Sequence, residues 1–266
     1  MAPKVSRRHF ETLVTSEFAR QPLTPPQILE AEDLAALPDP VVRYLRLTGA
    51  VGRPVPRDLR IEFDAVMRRR PGDPGMAARS VQYNFLGDPA RYFFMRARMF
   101  GLSVAALHAY RKGQAEFTVR VASAFTMVNQ RGSDISRSET VTVLNDLCVF
   151  APGALIDHRL RWEPIDDSCS AVTFVNGPPE VHAELIFDAQ GDLADFRSDD
   201  RPDSSSGRFV PMRWNTPLGD HRQIGGVRVP TSGATIYARP DGPFTYGEFR
   251  LRSLAYNLGD LSQRTS

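Results

Sequence analysis

The chain has 266 residues, 42% of them hydrophobic and 24% charged, enough to bury a full core without disulfide or metal staples. Its 33 basic and 31 acidic residues leave a net charge of +2, too small an excess for a nucleic-acid-binding surface. Cys148 and Cys169 fall in no CxxC or zinc spacing, so neither a metal nor a cofactor is expected. No stretch approaches the roughly 20 apolar residues of a membrane span. The charged start from Met1 to His9 has no apolar segment behind it, which predicts a cytoplasmic protein without a secretory leader.

The first fifty residues read as a helical arm. Phe10, Leu13, Val14 and Phe18 recur at helical spacing, and Pro22 ends the run. In Leu37-Pro38-Asp39-Pro40-Val41-Val42-Arg43-Tyr44-Leu45, Asp39 is placed to cap a helix that Pro40 starts and Gly49 closes.

From Leu59 onward the period becomes two, as in Ile61, Phe63 and Ala65 alternating with Glu62 and Asp64. Between Tyr92 and Gly101, Phe93, Met95, Ala97 and Met99 form one apolar face. Tyr92, Phe94, Arg96, Arg98 and Phe100 form a mixed aromatic and cationic one. Val181, Ala183, Leu185 and Phe187 repeat the alternation, and Gly/Pro/Asp clusters separate such runs at hairpin spacing. Arg68-Arg69-Arg70 leads into Pro71-Gly72 and reads as a solvated strand end entering a turn.

One helix interrupts the strands. Ser136-Arg137-Ser138-Glu139 has the form of a capping box, with Ser136 as N-cap and Glu139 as its partner, opening a helix over 137–150. Val141, Leu144, Leu147 and Cys148 fill one side of its wheel, and Val143 and Phe150 extend the apolar surface. Only Glu139, Thr142 and Asp146 form a polar wedge, with Asn145 at its margin. A helix apolar nearly all round is buried. The predicted fold is therefore mainly β (α+β): a strongly curved antiparallel sheet or half-barrel. A helical arm over 1–50 packs on a β domain over 51–266, whose central helix lies in the concave face.

A buried helix across a hollow predicts an internal cavity for a small hydrophobic molecule, lipid-like or polycyclic. Asp146 is expected either to bridge to Arg96, Arg98 or Arg201, or to face the cavity. In an alternative reading the cavity belongs to a cofactor-independent cyclase, isomerase or hydrolase, with Asp146, Glu139 and His108 moving or steering a proton. Asn145, Arg96, Phe94, Tyr92, Trp162, Trp214 and Arg201 are the candidate ligand contacts. Ser198-Asp199-Asp200-Arg201 reads first as a local charge bridge. No GxSxG, HExxH or phosphate-binding loop is present.

The early helix segment, the run from Glu139 to Cys148 and Arg161-Trp162-Glu163-Pro164 together resemble a bacterial family of unknown function. Ser198 to Arg201, Met212-Arg213-Trp214 and Gly242-Pro243-Phe244-Thr245-Tyr246-Gly247-Glu248 strengthen the resemblance, which spans about residues 37 to 257. It implies the curved-sheet fold of bacterial lipoprotein carriers, which hold acyl chains between a sheet and plugging helices. It implies no catalytic residues.

Overall fold

The computed structural model describes residues 5–22, 25–122, 125–178, 180–204 and 207–261. Met1 to Lys4, on which part of the expectation about a leader falls, lie outside them. Helix α1 (Arg7–Phe18) starts where the Ser6 hydroxyl accepts the His9 N–H at 3.1 Å. Helix α2 (Asp39–Thr48) begins one residue earlier than Pro40 implies, with Pro38 at the cap position, and ends on Gly49 at φ 70°. That left-handed turn is one a glycine adopts without strain.

The meander β1 (Asp58–Met67), β2 (Met76–Phe85), β3 (Ala90–Met99), β4 (Leu102–Arg111), β5 (Gln114–Val121) and β6 (Phe125–Arg131) comes next. Helix α3 (Ser133–Phe150) follows it. A second meander comprises β7 (Leu160–Asp166), β8 (Cys169–Phe174), β9 (Val181–Phe187), β10 (Leu193–Ser198), β11 (Trp214–Ile224), β12 (Val227–Arg239) and β13 (Gly242–Tyr256). All 13 strands join one antiparallel sheet in the order β6-β5-β4-β3-β2-β1-β13-β12-β11-β10-β9-β8-β7. The fold is thus the mainly β, open curved sheet that the alternation implies.

Every neighbour in this sheet is a chain neighbour except at the seam, where Leu59 faces Tyr256 and Met67 faces Gly247. The outer strands β6 and β7 do not pair; α3 runs between them and carries the chain from one edge of the sheet to the other. Its residues Val141, Leu144, Leu147 and Cys148 are buried in the main core with Tyr44 of α2 and Phe174, Phe187 and Phe196 of the second meander. Val143 and Phe150, on the back of the wheel, are buried as well.

Helix α3 starts a turn before the capping-box reading. Gly132 is its N-cap, and Ser136 lies inside it, its hydroxyl accepting the Ala115 N–H at 3.0 Å. Glu139 is thereby released from capping and points into the sheet. Arg69 and Arg70 are exposed in the turn after β1, as their sequence predicts.

Both faces of β2 and β3 are covered. Arg91, Phe93 and Met95 face the α3 side, whereas Tyr83, Phe85, Tyr92 and Phe94 pack with Phe10 and Val14 of α1. Phe10 lies 5.6 Å from Phe94, centroid to centroid, and Phe18 meets Phe85 edge-on at 4.8 Å.

Candidate functional site

Strand periodicity sets four polar side chains beneath α3. On β2, Gln82 and Asn84 share a face; Asn84 stands opposite Arg91 on β3, and Phe93 stands between Gln82 and His108 of β4. The helix supplies Glu139, Thr142 and Asp146 at i, i+3 and i+7, the polar wedge of its wheel, with Asn145 beside it.

Arg91 ties these groups together. Its Nε donates to Asp146 Oδ2 at 2.7 Å, its Nη1 to Glu139 Oε2 at 3.1 Å and its Nη2 to Gln82 Oε1 at 3.2 Å. The same Asp146 oxygen accepts Gln82 Nε2 at 2.9 Å and Asn84 Nδ2 at 3.0 Å. The expected partners of Asp146 were Arg96, Arg98 or Arg201; the structure replaces them with Arg91. Burying an unpaired carboxylate is expensive, and here neither carboxylate is unpaired.

Glu139 turns its other oxygen, Oε1, to His108 Nδ1 at 3.1 Å. Burial alone would raise its pKa. The charge and hydrogen bond of His108, followed by Arg91 and Arg201, outweigh burial and hold the carboxyl at about 2. The ionised carboxylate can only accept, so Nδ1 carries the proton of this bond. The imidazole stacks on Phe117 at 3.8 Å and meets Phe93 edge-on at 5.5 Å. Its Nε2 makes no hydrogen bond among the described residues.

These groups, Asn84 excepted, line a cavity of about 200 Å³ whose apolar walls include Phe63, Met67, Met95, Phe150 and Phe249. Phe63 packs edge-on against both Phe150 and Phe249, each at 5.6 Å. Asn145 donates to Thr216 Oγ1 at 2.9 Å, fixing its amide at the wall.

Trp214 and Arg201 also line the cavity. The Arg201 guanidinium carbon lies 4.6 Å from the Trp214 ring centroid and 5.8 Å from those of Tyr237 and Tyr246. The Asp-Asp-Arg run is consequently split. Asp199 turns outward to Arg213, Asp200 to Arg137 and His182, and Arg201 turns inward.

Of the candidates named from sequence, Asp146, Glu139, His108, Asn145, Trp214 and Arg201 converge on the cavity. Tyr92, Phe94, Arg96 and Trp162 do not. Tyr92 and Phe94 lie under α1 on the other face, and Arg96, on that face too, is exposed. Trp162 is on β7, its indole N–H donating to the Leu155 carbonyl at 3.2 Å. Alternation sorts residues between two faces but does not say which is concave, and α1 makes both faces half-buried.

Sequence reasoning missed Gln82, Asn84 and Arg91. Their signal was Val81-Gln82-Tyr83-Asn84-Phe85, in which polar residues alternate with large apolar ones. Such a pattern ordinarily means a polar face in water; here that face meets α3. Among the described residues no group of three or more His, Cys, Asp or Glu side chains is arranged to hold a metal, and no helix is long and apolar enough to cross a membrane.

Residues 27–249 match the model of a family of unknown function, DUF6544. The chain belongs to that family. No curated protein matches the sequence. Among solved structures, a DUF1329 family protein from Desulfovibrio piger is similar at 14% identity and a TM-score of 0.46, over 83% of this chain and 92% of its own. A LolA superfamily protein from Nitrosomonas europaea is similar at 12% identity and a TM-score of 0.43, over 80% and 92%. In this DUF6544 member α3 and every residue that lines the cavity fall within the matched region, whereas the part of β13 from Arg250 to Tyr256, which completes the seam, lies beyond it.

Proposed function

We propose that the protein binds a small, largely hydrophobic molecule in the cavity beneath α3. The observation that carries this reading is a cavity walled by Phe63, Met67, Met95, Phe150 and Phe249 in which both carboxylates are already ion-paired to Arg91. Apolar walls favour an apolar body by the ordinary transfer of surface from water. A general base, in contrast, needs a pKa near the working pH, and Glu139 at about 2 is far from it. The volume lies below the roughly 300–1,000 Å³ of common ligand pockets, which favours a single medium-length chain or a small ring system.

The test is thermal unfolding with a panel of medium-chain alcohols and small polycyclic compounds, paired with native mass spectrometry of the purified protein. Binding to the folded state alone raises Tm. Ala106→Phe, which fills the cavity from β4, abolishes that rise while the fold is kept. If no compound shifts Tm and nothing is retained, the cavity reading fails.

A second reading makes the same cavity the site of a cofactor-independent enzyme, a cyclase, isomerase or hydrolase. It draws on His108, whose Nδ1 is committed to Glu139 and whose Nε2 has no partner among the described residues. A histidine oriented by a carboxylate is a recurrent general base. His108→Ala separates the readings: turnover of a decanoyl ester is lost if His108 is catalytic, and ligand affinity is retained.

A further inference from the structure

The two buried arginines of the first meander each contact a carboxylate, Arg60 with Glu62 and Arg91 with Asp146 and Glu139. Arg201 differs. It lines the cavity, yet no carboxylate lies within ion-pair distance of it among the described residues. Its Nε donates to Thr142 Oγ1 at 3.2 Å and its Nη1 to the Tyr237 hydroxyl. Thr142 gives its own proton to the Ser138 carbonyl and Tyr237 gives its own to the Pro202 carbonyl, so both oxygens are free to accept from the guanidinium. Nη2 has no partner among the described residues.

Tyr246 repeats the pattern. Its hydroxyl accepts the Trp214 indole N–H at 3.0 Å, and its own proton has no acceptor among the described residues. Tyr246 and Arg201 both line the cavity, and the guanidinium sits 5.8 Å from the Tyr246 ring centroid. Glu139, the nearest ionised carboxylate on α3, is occupied by Arg91 and His108. A fixed cation and a hydroxyl donor, held by aromatic rings at the edge of an apolar hollow, are complementary to an anionic oxygen pair on an apolar body.

Building on the cavity reading, we infer that the ligand is an amphiphile headed by a carboxylate, which Arg201 and Tyr246 receive while its chain lies against Phe63 and Phe249. Trp214 touches this seat and reports on it. In a Trp162→Phe background it is the one remaining tryptophan.

The experiment is titration of that protein with decanoate and with decanol at neutral pH, read by Trp214 emission and checked by calorimetry. Decanoate binds about ten- to a hundredfold tighter than decanol, the range of a charge-assisted hydrogen bond. Arg201→Met erases the preference; Tyr246→Phe reduces it. Equal affinities in the parent protein overturn the inference and leave the cavity reading standing, and this comparison requires no variant to fold. A preference that survives Arg201→Met in a protein with parental circular dichroism overturns it equally. Binding of neither compound overturns the cavity reading and the headgroup assignment together.

Discussion

Two buried carboxylate clusters sit on opposite faces of strands β2 to β4. Under α1, Glu17 is wholly buried and accepts the Tyr92 hydroxyl at 3.0 Å, Arg111 Nε at 2.9 Å and Gln21 Nε2 at 2.9 Å. Under α3, Arg91, Gln82, Asn84 and His108 meet both oxygens of Glu139 and one oxygen of Asp146. The α1 cluster closes on itself and pins a helix to the sheet. The α3 cluster is flanked by a cavity and by two donor groups without acceptors among the described residues, Arg201 Nη2 and the Tyr246 hydroxyl. The buried charge is satisfied in both places, and the two faces differ in the unsatisfied donors that stand beside only one of them.

The sharpest way to break this comparison is Arg91→Ala. Two carboxylates then lose their shared cation, and a loss of about 3–5 kcal/mol is expected in urea unfolding. A loss below about 1 kcal/mol would show that the α3 cluster is not held as described.

Acid tests the α3 cluster next. Because the folded pKa of Glu139 lies below its ordinary 4.5, its ionised form stabilises the fold above that value. That contribution, on the order of 3 kcal/mol, is lost as pH falls from about 4.5 towards about 2. Asp195, raised mainly by burial, acts in the opposite sense, so the readout is a difference. Urea midpoints of Glu139→Gln fall less between pH 6 and 3 than those of the parent, and parallel curves would contradict the assignment.

Glu17→Ala costs about 1.5–3 kcal/mol, the value of hydrogen bonds to a charged group, and leaves ligand affinity untouched. An equal loss of affinity would mean that the two faces are coupled. The smallest effect is expected at Trp162, where Phe changes neither affinity nor the ligand-induced change in emission.

Much of this was legible in the sequence. Helix α2 announced itself through Pro40 and Gly49, and α3 through a wheel with no solvent face, from which the concave packing follows. The wedge of Glu139, Thr142 and Asp146 pointed at the cavity because helical spacing is rigid. The partners were not legible, since Arg91, Gln82 and Asn84 come from strands whose pairing to α3 is set by tertiary packing. The choice of face for Tyr92, Phe94 and Arg96 failed for the same reason: α1 covers the convex side and removes the usual contrast between wet and dry.

The seam has a consequence for how the protein comes into being. Leu59 must find Tyr256 across about three quarters of the chain, whereas every other ladder joins strands adjacent in sequence. Distant pairings pay loop-closure entropy before they are rewarded, so this ladder zips last. Phe63 and Phe249, which face each other inside the hollow, lie on either side of it. On the ribosome, then, a nascent chain that has completed α3 but not β13 owns every polar group of the α3 cluster and still has no vessel. The hollow belongs to the finished molecule alone.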